Sequence, residues 1–198
     1  MPKETFLNLP SSKKESIDHI LLDVFSEQPM SQVKVSQIVD LMQMSRGAFY
    51  KYFKDLEDAY SYVITKYAIK IHQDILDYIN ENRNDFFFGI EEYLRWCGSL
   101  SKTEDYWKSV QLLTKADPQY TFKRINIDYD SPMMLEWHNL LDLNNLNITT
   151  DEEAVSFLYF IMQVVMNAMS DFVVNDWSLE DLMTDYQYRI RWLKQGLQ

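Results

Sequence analysis

The chain has 198 residues, 46% hydrophobic and 25% charged, which excludes a disordered tail and a disulfide-stapled miniprotein and leaves apolar mass for a sizeable core. Four Gly and five Pro are too few for a strand-rich fold with many tight turns, so long helices are expected. The net charge of −11 is one-sided: residues 1–70 hold nine Lys and Arg against nine Asp and Glu, residues 71–198 ten against twenty-one.

Ser12 followed by Glu15 has capping-box spacing and predicts a helix start. Ile17, Ile20, Leu21, Val24 and Phe25 continue at helical spacing until Gln28-Pro29 stops them. A shorter amphipathic segment with Val35, Ile38, Val39, Leu41 and Met42 opens near Ser36 and runs into Gln43-Met44. Ser45 then caps a third helix, Arg46-Gly47-Ala48-Phe49-Tyr50-Lys51-Tyr52-Phe53, with Phe49 and Phe53 toward the core. Two helices across a tight connection are the ingredients of a helix-turn-helix.

From Asp55 the pattern of Ala59, Val63, Tyr67, Ile71, Ile75 and Ile79 runs without Pro or Gly. It predicts one helix over about 55–82, ~40 Å long. Helices are also expected at about 85–100, 104–116 and 132–143, with irregular chain at 117–132 and 143–150. Two capping boxes, Thr150 with Glu153 and Ser178 with Asp181, open the closing helices, the last ending at Gly196. The fold class is therefore all-α. Residues 1–54 are expected to form an N-terminal three-helix helix-turn-helix domain, joined by the long helix to a C-terminal helical domain over 55–198.

The lone Cys97 cannot pair internally, the Met-Pro-Lys-Glu-Thr-Phe start has no signal pattern, and no apolar run approaches the ~18 residues of a membrane span. A cytoplasmic protein with no membrane partner is expected. His19, His72 and His138 are dispersed, and neither a Cys/His cluster nor a glycine-rich phosphate loop is present. No enzymatic activity, cofactor or metal is therefore expected. Cys97, beside Trp96, reads as a buried inert thiol, and Glu91-Glu92 and Asp151-Glu152-Glu153 as solvated carboxylates.

An acidic chain that binds a duplex must gather its cations on one face, because binding rests on phosphate neutralisation. Were the third predicted helix a recognition helix in the major groove, its start would meet the phosphates. Ser45 can cap it or donate to phosphate, Gly47 lets backbone approach closely, Arg46 and Lys51 bring charge, and Lys54 can clamp flanking backbone. Tyr50 and Tyr52 carry hydroxyls on rigid rings suited to phosphates or base edges.

The order Ile38, Ser45, Gly47, Phe49, Tyr50, Tyr52, Phe53, followed by Asp55-Leu56-Glu57-Asp58-Ala59-Tyr60, resembles the DNA-binding domain of tetracycline-repressor-like transcriptional regulators over about residues 10–67. The resemblance implies that Tyr50 and Tyr52 face DNA and Phe53 the core. Its candidate duplex-contacting residues are Lys34, Ser45, Arg46, Gly47, Ala48, Tyr50, Lys51, Tyr52 and Lys54. Three departures stand out. The turn reads Met42-Gln43-Met44-Ser45 without the customary Gly, so Gln43 must accept φ > 0 or the turn differs; Leu56 stands where Lys is typical, and Lys34 where Thr is frequent.

All five Trp lie beyond residue 90 in the sequence, with most of the Met. The family resemblance implies a pocket for an apolar or aromatic small-molecule effector, and Tyr93, Trp96, Trp107, Trp137, Phe160 and Met166 are its candidate lining, with Glu92 and His138 as candidate polar anchors. Phe157, Ile161, Val164, Val165, Ala168, Met169 and Phe172 on one closing helix, with Leu182, Tyr186, Ile190 and Leu193 on the next, form stripes suited to a homodimeric four-helix bundle or to burial within one subunit. Two functions follow: a ligand-responsive repressor that binds a palindromic double-stranded DNA operator as a homodimer, or a helical small-molecule or protein-interaction module that has lost DNA binding.

Overall fold

The computed structural model describes residues 1–117, 120, 124 and 128–195; among them are ten α-helices and no strand. They are α1 Glu4–Leu7, α2 Ser11–Glu27, α3 Val35–Leu41, α4 Arg46–Tyr52, α5 Leu56–Glu81, α6 Phe86–Ser99, α7 Asp105–Lys115, α8 Pro132–Leu143, α9 Asp151–Val174 and α10 Leu179–Gln195. The all-α expectation holds, and α8 has the predicted bounds. The expected stop at Gly196 and most of the stretch at 117–132 lie outside the described residues.

Local chemistry explains most of the helix ends. Ser45, Asp85, Ser131 and Thr150 each accept a hydrogen bond from the backbone N–H three residues on, which satisfies an orphan donor of the first turn. Ser178 and Asp181 form the reciprocal box: the Asp181 N–H donates to Ser178 Oγ at 3.2 Å and the Ser178 N–H to Asp181 Oδ2 at 2.9 Å. The Ser12–Glu15 box does not form. Instead α2 starts at Ser11, and the carbonyl of Pro10 accepts from Lys13 and Lys14 N–H at 3.0 and 3.1 Å. The short α1 has no counterpart among the elements expected from sequence.

The turn between α3 and α4 is made without glycine. Gln43 sits at φ 50°, the Met44 N–H donates to Val39 O at 3.0 Å and the Gln43 N–H to Asp40 O at 3.2 Å, which is a Schellman end with Gln at the left-handed position. The same device, with Asn145 and Asp176 at φ 51° and 50°, closes α8 and α9. A left-handed L-residue costs ~1–2 kcal/mol that glycine avoids, against glycine's greater freedom in the unfolded chain. Gln43→Gly should therefore raise the urea unfolding free energy by about 0.5–1 kcal/mol, and Gln43→Val should lower it.

The described chain forms two compact units. The first contains Met1–Ile69 and the segment with α7; the second contains Lys70–Leu100 and the chain from α8 onward. The dividing point falls inside α5, beyond the expected boundary at 54/55, because α5's first half and α7 carry buried faces of the first unit. Its core is built from Leu21, Leu22, Phe25, Ile38, Phe49, Phe53, Val63 and Ile64. The buried carboxylate of Asp18 is not left alone: the Tyr62 hydroxyl donates to it at 2.9 Å and Lys66 pairs with it.

In the second unit, α6 packs against α10 and α9. Trp137 is buried and its indole N–H donates to Ala154 O at 2.9 Å; Tyr186 is buried with its hydroxyl on Phe87 O at 2.8 Å. The expectation about apolar runs is corrected here: α9 is long and apolar enough, at mean hydropathy 1.6, to cross a membrane by length and composition. Within the fold its Ala154, Leu158, Ile161, Val165, Ala168 and Phe172 form a buried helical stripe along one face.

Candidate nucleic-acid interface

Helix α4 has an inward and an outward face. Phe49, Tyr52 and Phe53, at i, i+3 and i+4, share the inward stripe and are buried. Lys34, Ser45, Arg46, Gly47, Tyr50, Lys51 and Lys54 are exposed, and Ala48 is half-buried. Tyr52 corrects the expectation of two outward tyrosines: it is only 7% exposed, against 47% for Tyr50, and its ring meets Phe6 edge-on at 5.9 Å. One residue step turns a helical side chain by about 100°, so Tyr50 and Tyr52 cannot share a face.

The outward face is chemically open. The Ala48 N–H donates to Ser45 Oγ at 3.2 Å, which fixes the start of α4 with the remaining first-turn donors at the surface. Among the described residues, Lys34, Arg46 and Lys51 pair with no carboxylate, while Lys54 Nζ lies 3.8 Å from Asp55 Oδ2. A Cβ added at Gly47 would meet only Ser45 Oγ, at 3.7 Å, so packing within the chain does not require glycine there. Behind α4, the Asp58 N–H donates to Asp55 Oδ1 at 2.8 Å and the Lys54 N–H to Asp58 Oδ2 at 2.9 Å, which anchors the start of α5.

The candidate pocket residues are divided between the two units. Trp107 belongs to the first unit, buried on α7, which packs on α2. Tyr93 and Trp96 form a cluster with Tyr78, centroids 5.7–6.0 Å apart. Trp137 belongs to a second cluster, 5.6 Å from Phe86 and 6.0 Å from Phe157, whose ring lies 6.2 Å from Phe160; Phe160 is 41% exposed. Met166 is half-buried on α9. His138 Nε2 lies 3.1 Å from Asp151 Oδ1 but has no hydrogen-bond partner among the described residues, and the Glu92 carboxylate lies 3.6 Å from Arg95 Nε. A groove of about 450 Å³ lies elsewhere in this unit, lined by Arg95, Leu179, Glu180, Met183, Thr184 and Gln187, residues that no sequence signal singled out.

The stripes read as a dimer surface are likewise used within the chain. Ile161, Val165, Ala168, Met169, Phe172, Leu182, Tyr186 and Ile190 are buried, and Phe157 is half-buried in the Trp137 cluster. Helical periodicity marks a face that is covered without saying by what. The apolar groups that α9 and α10 leave exposed are Phe160, Val174, Tyr188, Trp192 and Leu193.

Cys97 is buried, and that burial, partly offset by a hydrogen bond from Tyr93, pushes its thiol up to about 12. The thiolate that reacts with disulfide reagents is then scarce. Cys97 should be unreactive toward DTNB at pH 8 in the folded protein and should titrate once urea unfolds it; fast labelling without denaturant contradicts this placement.

In the first unit His19, Asp23 and Asp105 bring ligand atoms within 4.8 Å of one another. Lys108 already offsets one of the two carboxylate charges, with Nζ 2.6 Å from Asp23 and 3.7 Å from Asp105, and the Asp23 hydrogen bond raises the lysine's pKa. The cluster therefore reads as an ionic tie between α2 and α7.

Comparison with known proteins agrees with this architecture. A family model described as "Tetracyclin repressor-like, C-terminal domain" matches residues 85–197. A curated relative, the HTH-type dhaKLM operon transcriptional activator DhaS of Lactococcus lactis, is 22% identical over 139 residues, 69% of this chain and 64% of that protein, so the match spans just under two thirds of the relative's length. A TetR-like transcriptional regulator from Rhodococcus sp. RHA1 superposes with TM-score 0.58 at 13% identity, covering 95% of this chain and 100% of the other. The transcriptional regulator FadR of Bacillus subtilis, solved in complex with stearoyl-CoA, gives 0.54 at 17% identity, covering 93% and 99%.

Proposed function

The chain belongs to the tetracycline-repressor-like family of transcriptional regulators, and from that premise we propose that it is a sequence-specific DNA-binding regulator in which α4 is the recognition helix. The observation that carries the reading is the outward face of α4: a Ser45-capped start, exposed Arg46, Lys51 and Lys34 without carboxylate partners among the described residues, an exposed Tyr50 and a Gly47 that internal packing does not need. Such a face suits phosphates at the helix start and base edges along the ring and guanidinium. The net charge of −11 does not oppose this, because the excess lies in residues 71–198.

The chain acts as a homodimer, since one short helix reaches few base pairs and a two-fold pair reaches half-sites about 34–36 Å apart or a multiple of that. The exposed Phe160, Val174, Tyr188, Trp192 and Leu193 of α9 and α10 supply apolar area for that contact. A small apolar molecule bound by the second unit, where most of the aromatic side chains lie, shifts operator affinity by its differential affinity for the two states, and DNA weakens its binding by the same factor. Repression is the simplest output, because it requires only that the operator be occupied. The chain is a regulator without catalytic turnover.

A second reading, a helical ligand or protein-interaction module without DNA binding, is favoured by the overall acidity and by Leu56 at a position where the family resemblance leads one to expect Lys. Selection of duplexes from a random library with the full-length protein separates the two. Recovery of an inverted repeat, bound with affinity that falls steeply with salt, supports the regulator. No enrichment at low salt overturns it in favour of the second reading.

A further inference from the structure

Helix α4 has seven residues, too few to hold its shape alone in water, and its last carbonyls have no partner inside the helix. Phe49 O is satisfied by the Phe53 N–H at 2.9 Å. Two more are satisfied by one residue from far away in sequence: the Lys3 N–H donates to Tyr52 O at 2.8 Å, and Lys3 Nζ donates to Tyr50 O at 2.7 Å. The ammonium also lies at the negative end of the helix dipole, where a cation is favoured.

This cap is itself anchored. Lys3 immediately precedes α1, whose Phe6 is 1% exposed and lies 5.9, 5.0 and 5.1 Å from the rings of Tyr52, Phe53 and Tyr62. The residue whose carbonyl Lys3 Nζ holds, Tyr50, is the one whose ring points outward.

We infer that the segment Lys3–Phe6 is a positioning element for duplex reading, in which Lys3 caps the C-terminal end of α4, Phe6 anchors the cap, and neither residue touches the duplex. The inference rests on the reading of α4 as the recognition helix. A phosphate-contacting lysine supports every duplex alike, whereas a positioning lysine supports the contacts that depend on the pose of Tyr50 and its neighbours.

The test uses the full chain, the duplex recovered by selection and a scrambled duplex of equal length. Lys3→Met should weaken binding to the selected duplex about tenfold, the scale of part of one charge-assisted hydrogen bond. Affinity for the scrambled duplex and the slope of log K against log salt should stay at wild-type values, and Lys3→Arg should restore most of the loss. Equal weakening on both duplexes with a slope smaller by about one phosphate overturns the inference in favour of direct contact. Unchanged binding overturns it too, as does a fall in the urea midpoint of Lys3→Met, which would make the loss one of global stability. A wild-type chain that enriches no duplex removes the underlying reading itself, a result distinct from wild-type binding that Lys3→Met leaves intact.

Discussion

Truncating the outward side chains of α4 should abolish specific duplex binding while the protein stays folded, and truncating its inward neighbour should do the reverse. Arg46, Tyr50 and Lys51 are exposed, so Arg46→Ala and Lys51→Ala should leave the unfolding free energy within about 0.5 kcal/mol of wild type, while Tyr50→Ala, which removes a ring lying edge-on 5.4 Å from that of Phe49, should cost about 0.5–1.5 kcal/mol. A base-edge contact contributes ~1–3 kcal/mol, and the proposed symmetric dimer would make it twice, so Tyr50→Ala should cost ~2–6 kcal/mol, roughly 30-fold to more than 10⁴-fold. Where a cation meets phosphate, its removal should also lower the salt slope by about one for each phosphate no longer neutralised. Tyr52→Ala empties a buried site against Phe6 and should destabilise the fold by ~3–5 kcal/mol. Titration of the selected duplex by fluorescence anisotropy, paired with urea unfolding of each variant, separates the two classes. Full affinity in Tyr50→Ala would remove that residue from the interface.

How much of this arrangement the sequence reveals depends on whether the determining interaction is local. Ser45, Thr150 and Ser178 cap their helices as expected because a cap involves residues within three positions of each other, and the uninterrupted apolar period of α5 needs no partner to be read. Gln43 at positive φ follows from the same kind of reasoning: the turn must reverse left-handedly and no glycine is at hand. Four-residue α1 escapes because Phe6 is its sole buried residue, held by rings at positions 52, 53 and 62. The choice between Tyr50 and Tyr52 as outward residues is a question of helical phase. The burial of Phe49 and Phe53 decides it, and the residue sharing their stripe is Tyr52. The stripes of α9 and α10 show the opposite limit: their period is plain, yet a core and a dimer interface write the same pattern, and only the packing of α6 on both helices shows that one chain uses them. The tryptophans mislead for a similar reason, since position along the chain does not assign a residue to a unit, and Trp107, beyond residue 90, belongs to the first.

Glycine supplies the second large effect, and the three described glycines should respond to alanine in three different ways. At Gly89 a Cβ would stand 2.6 Å from Ile79 Cα and 2.8 Å from Tyr78 O, so α6 crosses the end of α5 at backbone contact. Overpacking costs ~1–3 kcal/mol when side chains can yield; here the obstacle is main chain of a neighbouring helix, and Gly89→Ala should cost ~3 kcal/mol or more and lower the melting temperature by several degrees. Gly98→Ala meets the tips of Leu179 and Leu182 at 2.8 and 3.3 Å, which can rotate away, and alanine's better helix propensity of ~1 kcal/mol offsets the strain, so that variant should be close to neutral. At Gly47 there is open space beyond Ser45 Oγ, so Gly47→Ala should stabilise the fold by up to ~1 kcal/mol. If the backbone of α4 lies against a duplex, the same methyl group should weaken binding to the selected sequence by about tenfold or more, since that surface has no slack for an added carbon. Stability and affinity then move in opposite directions at one position. A Gly47→Ala protein that melts higher and binds the selected duplex as well as wild type would show that α4 does not approach DNA through its first turn.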